Sequence, residues 1–391
     1  MDGRAVAPAA PRRVFFYTVN GKGLGHLMRA LAVARAVRAA APDTRILFAT
    51  SCEEPGVLWR EGFPYVKLLA PEARETLHWA RDRHVRLMER QVRSALAALQ
   101  PHVLVVDSFA YGSVGELKPF LVDMPWQRLL ISNLFLLQRD VARYIESIGF
   151  YDRVIYPFEA AEAAGHPVLP QMPRPFEFAG PIAGIARGDL MPRAEARAVL
   201  GLPAEGRIVL ISTGGGGGAS VTPILARVAE TLPLLPDVGF AVLEPPLGRE
   251  PVPIAWNGHV RAIRRIPIAP CLAAFDAAVV TAGMNGAAEL MVAGLPMVWL
   301  PLGAPSFDQA RNAARWEARG IGCQPQGEDA AALAAAIRRV LDPTVAGAMR
   351  RAMAEVDDGG AARAARAVLA AAAAQETTVG KGEGDATGDA G

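Results

Sequence analysis

Residues 20–29, NGKGLGHLMR, place Gly21, Gly23 and Gly25 just ahead of His26, directly after the apolar run Val14–Thr18. Closely spaced glycines allow a tight turn in which backbone approaches a ligand. A histidine at the end of such a turn can take a proton from a hydroxyl at neutral pH, the work of a general base; it can also simply cap the helix that follows. Asp107 ends a second apolar run, Val103–Val106. A carboxylate there can orient His26 and stabilise its charged form, or cap the next loop. Arg29, one turn beyond His26, can face phosphate, Asp107 or solvent.

The second half of the chain repeats the pattern of apolar run and small-residue turn. Ser212 and Thr213 are followed at once by Gly214, Gly215, Gly216, Gly217 and Gly218, and a helical stripe starts near Val221. A glycine turn between strand and helix lets backbone N–H groups converge on an anion, with the helix dipole adding positive potential. No Lys-Ser/Thr pair follows, so this is not a P-loop. A similar turn, Thr281-Ala282-Gly283, precedes Asn285 and Gly286. Asn285 can cap a helix or donate to phosphate. Glu289, one turn on, can accept both hydrogen bonds of a ribose diol or complement the helix dipole. Asp308 and Gln309 end the next loop, where they can bind sugar hydroxyls or cap a helix.

These turns must sit at the ends of strands. Val14–Thr18, Ile46–Ala49, Val103–Asp107 and Leu129–Ser132 read as buried parallel strands, and so do Ile208–Ser212, Gly239–Leu243, Val260–Ile263, Ala277–Thr281 and Met297–Leu300. Helical patterns separate them, which predicts right-handed crossover units in two doubly wound α/β domains facing one cleft. Ligands of such sheets bind at the carboxyl ends of the strands. A Pro-rich run after His166 divides the two sets. The expected layout is an acceptor-binding domain over 12–175, a linker over 176–206, a nucleotide-sugar domain over 207–358, a helix over 359–374 packing back on the first domain, and a disordered tail over 375–391.

Composition sets the bounds. Lys and Arg number 41 against 39 Asp and Glu, without the basic excess of a nucleic-acid binder. Three scattered cysteines make no disulfide framework or zinc cluster, and a reduced cytoplasmic compartment fits. No secretory signal or membrane-spanning run is legible; Leu129–Leu137 is a buried strand with its exit loop or a peripheral membrane patch. The histidines show no metal spacing, so neither a metal nor a resident cofactor is expected.

The stretch from Thr281 to Asn312 resembles the donor-binding box of inverting glycosyltransferases with the two-Rossmann (GT-B) architecture. It looks most like the plant secondary-product box and is similar to the bacterial transferase that adds N-acetylglucosamine to the peptidoglycan lipid intermediate. Gly283, Asn285, Glu289, Gly294, Pro296, Asp308, Gln309 and Asn312 hold the matching places. Thr281 stands where the plant box has a phosphate-binding histidine, and Gly286 where it has serine. The resemblance implies that Asn285 and the backbone of Gly283 and Gly286 hold the donor diphosphate, to which Thr281 can give one hydroxyl; the turn at Gly214, Gly215 and Gly216 reads independently as facing the same phosphate. Glu289 would bind ribose, the backbone at Arg265 and Ile266 would meet the base, and Asp308 and Gln309 would bind the donor sugar. It implies His26 as base with Asp107 behind it, a UDP-sugar as co-substrate, inversion without a metal, and a small-molecule or lipid-linked acceptor. A nucleotide-sugar hydrolase, a UDP-sugar 2-epimerase and a non-catalytic sugar-nucleotide-binding subunit are the alternatives on the same fold.

Overall fold

The computed structural model describes residues 11–19, 23–132, 141–163, 168–174, 176–215, 221–248, 252, 254, 259–302 and 309–385. The first sheet has seven parallel strands: β1 (Arg13–Thr18), β2 (Arg45–Thr50), β3 (Tyr65–Lys67), β4 (Val103–Asp107), β5 (Gln127–Ile131), β6 (Arg153–Tyr156) and β7 (Phe176–Phe178). Their spatial order is β3-β2-β1-β4-β5-β6-β7. The second sheet has five: β8 (Arg207–Ser212), β9 (Val238–Leu243), β10 (Val260–Ile263), β11 (Ala277–Val280) and β12 (Met297–Trp299), in the order β10-β9-β8-β11-β12. All pairings within both sheets are parallel.

Both faces of the first sheet are covered, which is why its strands read as continuous apolar runs. Val14 and Phe16 face one layer and Phe15 and Tyr17 the other, as a period of two requires. On the first side lie α1 (Gly25–Ala40) and the last helix of the chain; on the second lies α2 (Arg81–Leu99), through Met88 and Val92. The second domain builds its own core from β8, β9, β11 and the helices α3 (Arg193–Val199), α4 (Thr222–Thr231), α5 (Met284–Val292) and α6 (Gln309–Ala318).

The domain borders differ from those expected. β7 pairs with β6, so the first sheet runs to Phe178 and not to 175. Its proline-flanked position suits an edge strand, which forgoes ladder bonds on one side, and three residues carry no pattern to reveal it. α3 belongs to the second domain: Ala196 is in its core, and buried Arg197 bonds Ala274 O, Gly206 O and Asp276. The crossing segment therefore narrows to residues 179–192 between them. The last helix, α7 (Gly360–Asp385), returns to the first domain. Ala364, Val368, Ala371 and Ala372 complete that core, Arg153 Nη1 donates to Ala367 O at 2.8 Å, and Gln127 donates to Gln375. This helix continues through residues 375–385, where a disordered tail was expected. Gln375 docks on β5, so the packed face outlasts the alanine run; residues 386–391 lie outside the described ones.

Candidate active site

In both sheets the strand order reverses between the strand that opens the domain and a later one. These switch points lie between β1 and β4 and between β8 and β11. Loops leave such a point in opposite directions and open a crevice. Thr18 sits level with Asp107 on one sheet and Ser212 with Val280 on the other. The four segments singled out from sequence therefore leave the sheets as two adjacent pairs.

On the first-domain side, α1 begins at Gly25 without a side-chain cap, and His26 lies on its first turn. His26 Nδ1 is 2.6 Å from Asp107 Oδ1. Arg29 grips the same carboxylate side-on, with Nε 2.7 Å from Oδ2 and Nη2 2.6 Å from Oδ1. Ser108 Oγ donates to Oδ1 at 2.9 Å and accepts from Arg29 Nη2 at 2.7 Å. Asp107 is only 1% exposed. Burial alone pushes its carboxyl upward, but the charges of Arg29 and His26 and their hydrogen bonds outweigh this and hold it well below the usual carboxylate range. An ionised Asp107 offers no proton, so Nδ1 must carry one and the lone pair of His26 lies on Nε2. Arg29 Nη2 is also 3.3 Å from Nδ1, but two donors cannot bond each other; they converge on one oxygen.

Ser108 has φ +63°, and the Phe109 N–H bonds back across it to Asp107 O at 2.8 Å. A turn this tight costs a non-glycine residue ~1–3 kcal/mol. It swings the half-exposed Phe109 ring edge-to-face onto His26, with centroids 5.3 Å apart.

On the second-domain side, Gly214 turns the chain at φ +81° after β8. α5 starts after Gly283, the N-cap residue, which has no side chain to bond the first turn, so Asn285 is not its cap. Asn285 Oδ1 instead accepts from Arg29 Nη1 at 3.3 Å. The two domains meet closely here. A Cβ on Gly25 would fall 2.5 Å from Asn285 Nδ2, and one on Gly215 would fall 3.0 Å from Gly23 Cα. Thr281 donates its N–H to Ser212 O, and its Oγ1 faces Gly214. Gly286 is exposed on the first turn of α5. Gln309 is buried at the start of α6, and its Oε1 accepts the Leu302 N–H at 2.9 Å, leaving its amide donors; Asn312 ties Ala282 O. Gly216 and Asp308 lie outside the described residues.

Glu289 follows Asn285 by one turn and meets the crossing segment. Its carboxyl accepts the Gly184 N–H near the Arg35 guanidinium, and Arg35 also donates to Gly184 O at 2.8 Å. Burial pushes the carboxyl up to about 7 against the opposing pull of Arg35 and Gly184. A ribose diol donates its hydrogen bonds, so it binds the ionised carboxylate better. On the reading that Glu289 takes the ribose, as the resemblance implies, donor affinity should rise with pH from 6 to 8 and level off above, and Glu289→Gln should flatten that slope in a calorimetric titration with a UDP-sugar, whose own diphosphate does not titrate in this range. The backbone at Arg265 and Ile266 stands beyond β10, with Ile266 O accepting from Arg60 of the first domain at 3.3 Å.

Three residues join the site that the sequence left unassigned. Arg29 takes one of the positions open to it, on Asp107. Ser108 belongs to the same network. Thr213 is buried at the glycine turn, and its hydroxyl has no hydrogen-bond partner among the described residues. Only its place next to the glycines could have marked it.

No family model matches the chain. It is 30% identical over 319 residues to the UDP-N-acetylglucosamine–N-acetylmuramyl-(pentapeptide) pyrophosphoryl-undecaprenol N-acetylglucosamine transferase of Rhodococcus opacus strain B4, over 75% of this chain and 78% of the relative. Among solved structures, Medicago truncatula UGT71G1 complexed with UDP-glucose superposes with a TM-score of 0.62 at 16% identity, over 93% of this chain and 98% of that one. Acinetobacter baumannii MurG superposes with a TM-score of 0.57 at 13% identity, over 92% and 99%. At such identities the structures show the fold, and the curated relative shows the kinship. The chain belongs to the nucleotide-sugar glycosyltransferases of the two-Rossmann GT-B architecture, in the family of these lipid-intermediate N-acetylglucosamine transferases.

Proposed function

We propose that the protein moves a sugar from a UDP-sugar to an acceptor hydroxyl by direct displacement with inversion, using His26 as base. The observation that carries this is the His26–Asp107 pair at one switch point, facing Asn285 and the glycine turn at the other. Nε2 of His26 takes the acceptor proton, the acceptor oxygen bonds to the anomeric carbon, and the bond to the β-phosphate oxygen breaks. The departing UDP carries growing charge. The N-terminus of α5, the Asn285 amide and the turn at Gly214 and Gly215 would meet it with fixed dipoles, with Gly216 assigned to the same turn from the sequence alone. Glu289 takes the ribose, the backbone at Arg265 and Ile266 the base, and Asp308 and Gln309 the sugar.

Dipoles of this kind need no divalent ion. Turnover should be unchanged after treatment with a chelator, measured as UDP release. Kinship with transferases named for a lipid-linked acceptor favours such an acceptor over a free small molecule. UDP-N-acetylglucosamine is the first donor to test. The three buried thiols Cys52, Cys271 and Cys323 fit a reaction in the cytoplasm. No helix among the described residues is long and apolar enough to cross a membrane; the route to a lipid acceptor that we propose is peripheral contact. The test is UDP release from a panel of nucleotide sugars, with and without a lipid-linked sugar acceptor. Release that depends on acceptor supports transfer; equal release without one points to hydrolysis.

A further inference from the structure

We propose that Arg29 is a positioning residue that serves both substrates at once: it presents the Asn285 amide to the donor diphosphate and holds Asp107 behind His26. This rests on the reading of His26 as base and Asn285 as diphosphate ligand.

The chemistry of the guanidinium decides how Asn285 lies. Arginine has only donors, so the amide atom facing Arg29 Nη1 at 3.3 Å is the oxygen. The Asn285 Nδ2 group, with two donors, then points to the other side, toward Gly25 and the meeting point of the two glycine turns. That is the side on which an anion at the α5 N-terminus would lie. A residue without donors at position 29 would let the amide rotate and offer its oxygen to the phosphate, a repulsive contact.

The same guanidinium fixes the base. Three of its N–H bonds go to Asp107 and Ser108, at 2.6–2.7 Å. His26 Nδ1 and Arg29 Nη2 bind the same carboxylate oxygen, each at 2.6 Å. A shift of Arg29 therefore shifts the atom that orients the imidazole. Arg29 is 3% exposed and bridges two domains, and one side chain with a rigid fork reaches both partners. A lysine has one ammonium and cannot hold a carboxylate side-on while reaching an amide on the other domain. The sharing also limits how strongly Asp107 acts on His26. With Arg29 gone, the carboxylate would act on the imidazole alone and stabilise its protonated form.

The test compares Arg29→Lys and Arg29→Met with wild type, reading kcat and KM for donor and acceptor across pH, and UDP affinity by calorimetry. For Arg29→Met the rising limb of the kcat/KM profile should move up by about one pH unit, the donor KM should rise about tenfold, and the acceptor KM should stay within about twofold. Arg29→Lys keeps the buried charge and so keeps the fold. It should leave the limb near wild type while UDP binds about tenfold more weakly. Asn285→Ala should weaken UDP binding as well, and adding Arg29→Lys to it should change little more, because the two act through one contact. A merely structural arginine would lower the melting temperature and leave the limb and the donor–acceptor split unmoved, and that result overturns the proposal. If the wild-type protein releases no UDP from any donor, the catalytic reading itself fails and this inference goes with it. An active wild type with insensitive Arg29 variants overturns the inference alone.

Discussion

His26→Ala should lower kcat by about 10²–10⁴-fold while leaving UDP affinity and the melting temperature close to wild type. The imidazole is 24% exposed on the first turn of α1, so its loss opens no cavity in the core. Its one described bond partner, Asp107, keeps the bidentate Arg29 and the Ser108 hydroxyl, so the buried carboxylate remains satisfied. What is lost is the lone pair on Nε2. Without it the acceptor hydroxyl must lose its proton to solvent, so the residual rate of the variant should climb with pH where the wild-type profile has levelled. Single-turnover UDP release at saturating donor and acceptor, with thermal melting alongside, checks both parts. A variant that turns over within a few-fold of wild type removes His26 from the mechanism. A variant that loses UDP binding in proportion shows that the histidine serves the donor and not the proton.

The sequence made some of this legible and withheld the rest for physical reasons. Strands buried on both faces announce themselves, as Val14–Thr18 and Val103–Asp107 do, because the positions ahead of the closing Thr18 and Asp107 form an unbroken run of apolar and aromatic residues. β3 and β7 do not, since three residues at a sheet edge carry no periodicity. The glycine turns were readable because few other residues allow such backbone, yet the left-handed Ser108 was not, because a serine gives no sign of it. His26 and Asp107 were each recognisable as candidates, but 81 residues separate them. Only the register that sets Thr18 beside Asp107 makes them a pair. Arg29 was undecidable for a similar reason: its alternatives lay on segments whose mutual placement depends on both sheets. Glu289 shows the same limit from the other side. Its position on α5 was clear from spacing, while its contact with Gly184 and Arg35 depends on how the crossing segment and α1 dock, which spacing does not encode.

Asp107→Asn should be the most damaging single change in the site, and for two separable reasons. The carboxylate receives four hydrogen bonds, from His26, from Arg29 twice and from Ser108. A carboxamide has one oxygen for these donors and turns its NH2 against the rest. It also leaves the Arg29 charge, 3% exposed, without its counter-charge. Removing one partner of a buried ion pair costs about 3–5 kcal/mol, a large part of a typical domain's stability of about 5–15 kcal/mol. The folded-state carboxyl titrates below its unfolded value, so its contribution is fully present above the ordinary carboxylate range near ~4 and is lost only as the pH falls through the lower folded value. The stability gap between variant and wild type should thus be constant from pH 5 to 8 and close in acid, as denaturant melts would show. Catalysis should fall as well, by up to about 10⁴-fold, because nothing then holds the proton on Nδ1 and the lone pair on Nε2. Pairing the change with Arg29→Met separates the two effects. The double variant buries no unpaired charge, so most of the lost stability should return, since replacing both partners of a buried pair is often close to neutral. Activity should not return with it. Recovery of turnover along with stability would mean that Asp107 serves only to hold Arg29 in the fold, and that His26 needs no partner to act.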